Sequence, residues 1–389
     1  MTAVYTSITL SYLAKARVLA RSVKRHNPDY RFYLVMAEPA PPWLVTGVAS
    51  GQEPFDRIVT IDDLDIADKP AWLFGLDVVE ACTGVKGAAM MLLQEKFGED
   101  RVIYLDPDIV VFQSLEPIAE MLRQHSIVLT PHCPVAETAL EAIVYNEISS
   151  LAHGVYNLGF IAVAGDAEGK RFAAWWTYRL RHFCHDDIPR GLFTDQRWID
   201  LVPAQFDRVK VLRNSAYNAA SWNITQRQIS GPVPEGVLCD GRPLCFYHFS
   251  GMNGGIPDRI HHLFAPKNKT LDKLVDWYRC ECNQCGEHSF RGSQWHYARY
   301  DDGTPITRPQ RLLYRMDINL QARFPNPFAM GSGSYYQWLM TDGPGPEGLE
   351  RFFPQTLDSL QAAATRLRRI ETSRAYKIYA KIRRLVRAA

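Results

Sequence analysis

The first 110 residues alternate strand with helix so regularly that few architectures stay open. Residues 3 to 9 form a short alternating strand. "YLAKARVLARSVKRHN" follows and places Leu13, Ala16, Leu19, Ala20 and Val23 on one helical face. "RFYLVMA", residues 31 to 37, reads as a second buried strand and "FDRIVTIDDL" as a third. A helix from Ala81 to Phe97 then runs toward "RVIYLD". This alternation predicts an α/β sandwich, helices flanking a mostly parallel central sheet. At 389 residues, 47% of them hydrophobic, the chain can bury one large core, or one core with a subdomain.

Beyond residue 110 the pattern is mixed. "HSIVLTPH" is a strand ending in a polar turn, and "GVYNLGFIAVAG" is a strand with Asn157 and Gly159 embedded in it. "KRFAAWWTYRLRHF" is an amphipathic helix, "RVKVLRNSAYNAASWN" runs from strand into an Asn-rich loop, and "PLCFYHFSG" is an apolar strand ending in His248 and Gly251. Residues 252 to about 345 are rich in Gly, Pro, Asn and aromatics and predict loops with short helices. Trp277, Trp295, Tyr335 and Tyr336 there could line an acceptor groove or pack a small core. A helical pattern resumes near Leu360. Residues 361–389 carry nine Lys or Arg against Glu371 alone, with Ile378, Ile382 and Leu385 on one face. Such a helix suits either an anionic membrane surface or packing on the body. The expected division is a catalytic domain over 1–255 with halves near 1–115 and 116–255, an irregular extension over 256–350 and a basic tail over 351–389.

A formal charge of +2 gives no global argument for nucleic acid. No eighteen-residue apolar run appears, and "MTAVYTSITL" reads as a first strand, not as a signal peptide, so the cytoplasm is the expected location. Of eight cysteines, Cys280, Cys282 and Cys285 form "CECNQC". That spacing fits a structural zinc, with His288 as a further ligand, or a loop of reduced thiols.

The chemistry concentrates in "RVIYLDPDIVVFQSLEPI". Asp106 and Asp108 project to the same side if the segment is extended. Two such carboxylates do not stay ionised side by side without a cation. Oxygen pairs of this type suit Mg²⁺ or Mn²⁺, with phosphate oxygens completing the shell. The bland alternative is a solvated turn at Pro107, and the apolar flanks on both sides weigh against it.

This pattern resembles the nucleotide-sugar glycosyltransferases of the GT-A fold, most closely the retaining family 8 enzymes such as glycogenin and the lipopolysaccharide galactosyltransferases. The resemblance covers roughly residues 3 to 255. It implies that Asp106 and Asp108 hold Mn²⁺, with Mg²⁺ as the other candidate, against the diphosphate of a nucleotide sugar, a UDP-sugar foremost. "YHFSG" matches the family's late histidine and glycine, so His248 is the expected third ligand and Gly251 the matching loop residue. In "VYNLGFIAV", Asn157 matches a donor-sugar contact and Gly159 a point of close backbone approach. In "GLFTDQRWIDLVP", Asp195 matches a sugar-hydroxyl partner and Gln196 a neighbour of the anomeric carbon. Tyr5, Thr6 and Ser7 match the strand and loop around base and ribose, Lys86 a basic residue facing the donor, and Asp62 and Asp63 could reach the base edge. Ordinary roles compete at each position: a bulge at Asn157, a helix cap at Asp195, an exposed lysine at Lys86.

One departure stands out. The family's lysine and tryptophan after the late glycine are missing from "HFSGMNGGIPDRIHHL", which leaves Arg259, His261 or backbone groups for the phosphates. The implied reaction is sugar transfer to a hydroxyl of a glycan, a lipid-linked molecule or another acceptor, with retention, as in a hexosyltransferase of polysaccharide biosynthesis. A catalytically silent sugar-nucleotide-binding or assembly protein is the rival reading. A nucleotidyltransferase would show a Gly-rich basic loop after the first strand, which "TSITLSYLAKAR" lacks. Oligomeric state has no sequence signal.

Overall fold

The computed structural model describes residues 1–345, 348 and 349, so the basic segment from residue 361 and its expected helix lie outside the described residues. The chain divides into two compact units, Met1–Ala298 and Arg299–Ala389.

The first unit is built on a seven-stranded sheet. Its strands are β1 (Thr2–Ile8), β2 (Arg31–Met36), β3 (Arg57–Thr60), β4 (Arg101–Leu105), β6 (Ile127–Pro131), β7 (Tyr156–Ala164) and β8 (Val209–Val211). They lie in the order β8-β6-β7-β4-β1-β2-β3. Every pairing is parallel except the two made by β7, which runs against β4 and β6. The mostly parallel α/β sheet expected from the alternation is therefore present, with one reversed strand inside it. With helices on both faces, the architecture is that of a GT-A-like α/β fold.

The helix Leu13–His26 covers one face. Its residues Leu13, Ala16, Leu19, Ala20 and Val23 are buried with Phe32, Leu34, Ile103, Leu105 and Phe160, the stripe predicted by spacing. The helix Val78–Glu95 begins three residues earlier than its apolar pattern suggests. Asp77 caps it, accepting from the Val79 and Glu80 amides at 2.9 Å, and the Asp77 amide in turn donates to the Glu80 carboxylate. This helix packs tightly on Ala167–Phe183: a Cβ on Gly87 would stand 2.8 Å from Thr177 Cα. The neighbouring Lys86 is buried against the central strands, meeting Tyr5 of β1, Leu158 of β7 and Asp106 just past β4.

A second, three-stranded sheet carries β5 (Ile109–Val111), β9 (Ala219–Ala220) and β10 (Phe246–His248), in the order β9-β10-β5. Within the region expected to be loops and short helices, Lys269–Gln284 forms a sixteen-residue helix. Its buried stripe, Leu271, Leu274, Val275, Tyr278 and Cys282, has plain helical spacing, masked in the sequence by the surrounding Gly- and Asn-rich composition.

In the second unit the helices Arg308–Met316, Ile318–Arg323 and Tyr335–Thr341 surround Tyr314, Leu320, Phe324, Tyr335 and Leu339. The Tyr314 hydroxyl donates to the Phe324 carbonyl at 2.7 Å and the Tyr335 hydroxyl to the Gln310 carbonyl at 2.9 Å. Tyr335 is thus a core residue here.

Candidate active site

The turn that ends β4 sets the two aspartates. The Ile109 amide donates to the Asp106 carbonyl at 3.0 Å, and the chain leaves the large sheet to enter β5 in the small one. Strand β10 runs antiparallel to β5, with His248 opposite Ile109, so the pairing register delivers the imidazole beside Asp108. The Phe249 amide then donates to the Asp108 carbonyl at 2.8 Å and locks that register.

Asp106, Asp108 and His248 each offer one ligand atom, and these atoms lie within 4.8 Å of one another. His248 Nε2 is 2.9 Å from Asp108 Oδ1 and 3.7 Å from Asp106 Oδ2. Neighbouring ligands on a small divalent cation with bonds near 2.1 Å stand roughly 3 Å apart. Two carboxylate oxygens and one imidazole nitrogen at these separations fit Mn²⁺, and less naturally Mg²⁺, which prefers oxygen and water. Burial alone would raise the Asp108 carboxyl and lower the His248 imidazole. Their pairing outweighs it, leaving Asp108 below and His248 above the ordinary value.

Behind this group sits Lys86, its side chain 3% exposed. The ammonium donates to Asp195 Oδ2 at 2.8 Å, to the Leu158 carbonyl at 3.1 Å and to Asp106 Oδ1 at 3.3 Å, which occupies all three of its protons. Burial works against its charge, but Asp106 and Asp195 together hold its pKa above the ordinary lysine value. Tyr104 lends its ring face to the same ammonium at 4.1 Å and its hydroxyl to Asp106 Oδ1 at 2.6 Å. One oxygen of Asp106 is thereby tied into the interior, and the other faces His248.

Because β7 is reversed, its first residues lie beside the end of β4, and the Asp106 amide donates to the Gly159 carbonyl at 2.8 Å. Asn157 Oδ1 is 3.3 Å from His248 Nδ1. A Cβ on Gly159 would meet His248 Cε1 at 2.3 Å and Asn157 Oδ1 at 2.8 Å, so the space beside this glycine is filled by the histidine. Gly159→Ala is therefore expected to displace His248 and weaken Mn²⁺ binding while the sheet survives. A metal titration beside a melting curve checks this, and unchanged affinity would contradict it.

Asp195 is buried on Lys86 and accepts from Thr194 Oγ1 at 3.0 Å, with burial as the largest cause of its raised pKa. The Gln196 amide is engaged at both ends: Oε1 accepts from the Leu158 amide and Nε2 donates to the His153 carbonyl, each at 3.0 Å. It braces the helix Ile148–His153 against β7.

A cleft of about 660 Å³ opens over these groups. Ser7, Lys86, Asp106, Asp108, Asn157, Gly159, Asp195, Gln196 and His248 all line it. The other expected residues stand differently. Tyr5 is fully buried, its hydroxyl donating to the Lys86 carbonyl at 2.9 Å, and Thr6 is fully buried too. Asp63 caps Thr60, accepting from its amide at 2.7 Å, and Asp62 lies 3.8 Å from Lys69, so neither borders the cleft. Gly251 takes a left-handed turn (φ 74°) just past the lining residue Ser250. Arg259 is exposed and His261 is turned to the Tyr247 hydroxyl at 3.2 Å, and neither is among the lining residues.

The structure adds Tyr12, Tyr104, His132 and Trp222 to the lining, and Asn218 just behind it. His132, pushed down to about 4 by burial, is neutral and receives Asn157 Nδ2 at 3.1 Å. Its place at the polar end of an apolar strand was the available signal. Cys280, Cys282 and Cys285 do not gather as ligands. They ride the helix Lys269–Gln284 and its cap, where positions two apart face different ways, so Cys280 is exposed while Cys282 and Cys285 are buried. No helix among the described residues is long and apolar enough to cross a membrane.

No family model matches the chain. Two curated proteins of Bacillus subtilis (strain 168) are similar to it, both described as uncharacterized. YfnF is 31% identical over 154 residues, 39% of this chain and 50% of YfnF, so the match spans half of that relative. YfnD is 24% identical over 250 residues, 63% of this chain and 76% of YfnD. Among solved structures, the galactosyltransferase LgtC in complex with donor and acceptor sugar analogs overlaps with a TM-score of 0.41 at 17% identity, over 73% of this chain and 96% of that one. The glycosyltransferase GlyE of Streptococcus pneumoniae TIGR4 gives 0.43 at 15%, over 75% and 65%. Mouse xyloside xylosyltransferase 1 gives 0.40 at 15%, over 64% and 98%. At these scores the overlaps carry nothing about chemistry, which stands on this chain's own residues.

Proposed function

We propose that this protein is a divalent-metal-dependent glycosyltransferase, resembling retaining family 8 enzymes, that moves a hexose from a nucleoside-diphosphate sugar to a hydroxyl acceptor. The observation that carries this reading is the Asp106, Asp108 and His248 group at the strand-end cleft of a GT-A-like sheet. A UDP-sugar is the favoured donor, and a glycan or lipid-linked molecule the favoured acceptor. Residues 1–255 form the catalytic domain in this reading, and the tail from residue 351 is its peripheral contact with the inner membrane face.

Asp106, Asp108 and His248 would hold Mn²⁺, which when bound supplies positive charge against the leaving diphosphate. Lys86 and Tyr104 both donate to Asp106 Oδ1 and so aim its other oxygen toward His248. The acids lining the cleft are Asp106, Asp108 and Asp195, and each is already engaged in the metal group or on Lys86. Gln196 is held at both ends and is a weak nucleophile. With no free carboxylate among the described lining residues to attack the sugar or to deprotonate an acceptor from the far face, front-face substitution is supported. The bond from the anomeric carbon to phosphate oxygen breaks, the bond to acceptor oxygen forms on the same face, and the acceptor proton passes to the departing diphosphate.

The test is donor hydrolysis by purified protein across a panel of nucleotide sugars with Mn²⁺, Mg²⁺ or EDTA. Slow Mn²⁺-dependent release of one nucleotide is expected, and UDP foremost. Neither cleavage nor binding of any nucleotide diphosphate would overturn the transferase reading.

A further inference from the structure

We propose that Asn218 is a positioning residue for the metal site, setting through Asn157 which nitrogen of His248 faces the cation. This rests on the metal reading above.

A histidine that binds metal through Nε2 must carry its proton on Nδ1, and the group that accepts that proton fixes the choice. In this chain the acceptor is Asn157 Oδ1, 3.3 Å from His248 Nδ1. An amide can turn over, however, and would then offer its NH₂ to the ring. That would favour a proton on Nε2 and remove the lone pair from the metal side. Asn157 Oδ1 is kept in place by two donors, the Gly159 amide at 3.1 Å and Asn218 Nδ2 at 2.9 Å. Its NH₂ is kept on the far side by His132 Nε2 at 3.1 Å and Gln196 Oε1 at 3.4 Å.

Asn218 is itself held firmly. It is 1% exposed, and its NH₂ also donates to Thr130 Oγ1 at 2.8 Å. Asn223 Nδ2 donates to its carbonyl at 3.1 Å and to that of His132 at 3.3 Å. Its backbone is left-handed, φ 55°, a conformation asparagine tolerates better than most residues with a side chain. Its own Oδ1 is buried without a hydrogen-bond partner. A buried orphan oxygen is costly to the fold. It persists here because Asn157 Oδ1 can only accept, which turns the Asn218 NH₂ toward it, while the Thr130 hydroxyl could take either role. The sequence "SAYNAASWN" carries no hint of this role, which appears only when the chain returns beside β7.

The experiment is titration of metal-free protein with Mn²⁺, following free Mn²⁺ by electron paramagnetic resonance, for wild type, Asn218→Asp and Asn218→Gly. Aspartate has no donor to offer, so Asn157 should turn over. Glycine removes the hold and accepts the left-handed backbone. The Mn²⁺ dissociation constant is expected to rise roughly ten- to hundredfold for Asn218→Asp, and to a lesser degree for Asn218→Gly. Melting curves without metal identify which variants are folded, and glycine secures a folded one if aspartate does not. A folded variant that binds Mn²⁺ as wild type does overturns the positioning role and leaves the metal site standing. A wild type that binds no Mn²⁺ removes the metal reading and this role with it.

Discussion

Lys86→Met is expected to destabilise the protein by about 3–5 kcal/mol, the loss typical of breaking a buried ion pair from one side. Methionine keeps most of the stem volume, so the change isolates the charge. It strands Asp195, whose side chain is 3% exposed, and leaves Asp106 with only the Tyr104 hydroxyl on its inner oxygen. The deficit should depend on pH, and its sign follows from Asp195. Its folded pKa already lies above the ordinary aspartate value, first through burial, and Lys86 is what restrains the rise. Without Lys86 the folded pKa climbs further. A carboxyl raised on folding favours the folded state at low pH and loses that advantage as pH rises through the folded value. The variant's deficit in urea unfolding should therefore be smaller near pH 5 than near pH 7.5. Adding Asp195→Asn should recover part of it, because no charge is then left alone. Equal midpoints for wild type and Lys86→Met would show that the triangle of charges contributes little.

Asp108→Asn and His248→Ala should each abolish detectable Mn²⁺ binding at micromolar protein and lower turnover by at least about a hundredfold, the scale of losing one electrostatic stabiliser from an active site. The two should differ in the absence of metal. His248 is the partner that holds Asp108 below the ordinary range, so His248→Ala leaves Asp106 and Asp108 facing one another with less compensating charge. That variant should melt lower than Asp108→Asn, which removes one of the two repelling charges. Full Mn²⁺-dependent turnover in either variant would remove this group as the metal site.

The cluster of Asp106, Asp108 and His248 was legible because each residue ends or borders an apolar strand, where a charged or ligating side chain is hard to explain by packing alone. The α/β class was legible for a related reason, since period and length identify strands and helices one at a time. What periodicity does not carry is adjacency. Nothing in "GVYNLGFIAVAG" says that β7 runs backwards between β4 and β6, yet that reversal puts Asn157 and Gly159 beside Asp106. The same limit hid the roles of Tyr104, His132 and Asn218. His132 and Asn218 meet Asn157 on another strand, and Tyr104 meets Lys86 on the helix Val78–Glu95. Tyr5 shows the converse, since a residue read as lining the nucleotide is fully buried beneath Lys86. β1 is buried at all seven of its positions, on both faces, so alternation along it does not separate a cleft-facing residue from a core one.

The register of β5 against β10 has a consequence for synthesis. Asp106 and Asp108 leave the ribosome early and His248 late, after every strand of the large sheet has emerged. A nascent chain can thus present every strand of the large sheet while Asp106 and Asp108 still lack their imidazole neighbour, and Phe246, two residues ahead of it, completes the core against Phe160. The cluster of two acids and an imidazole is therefore a long-range feature of the fold, spanning more than a hundred residues of intervening chain, and it forms only when β10 pairs with β5.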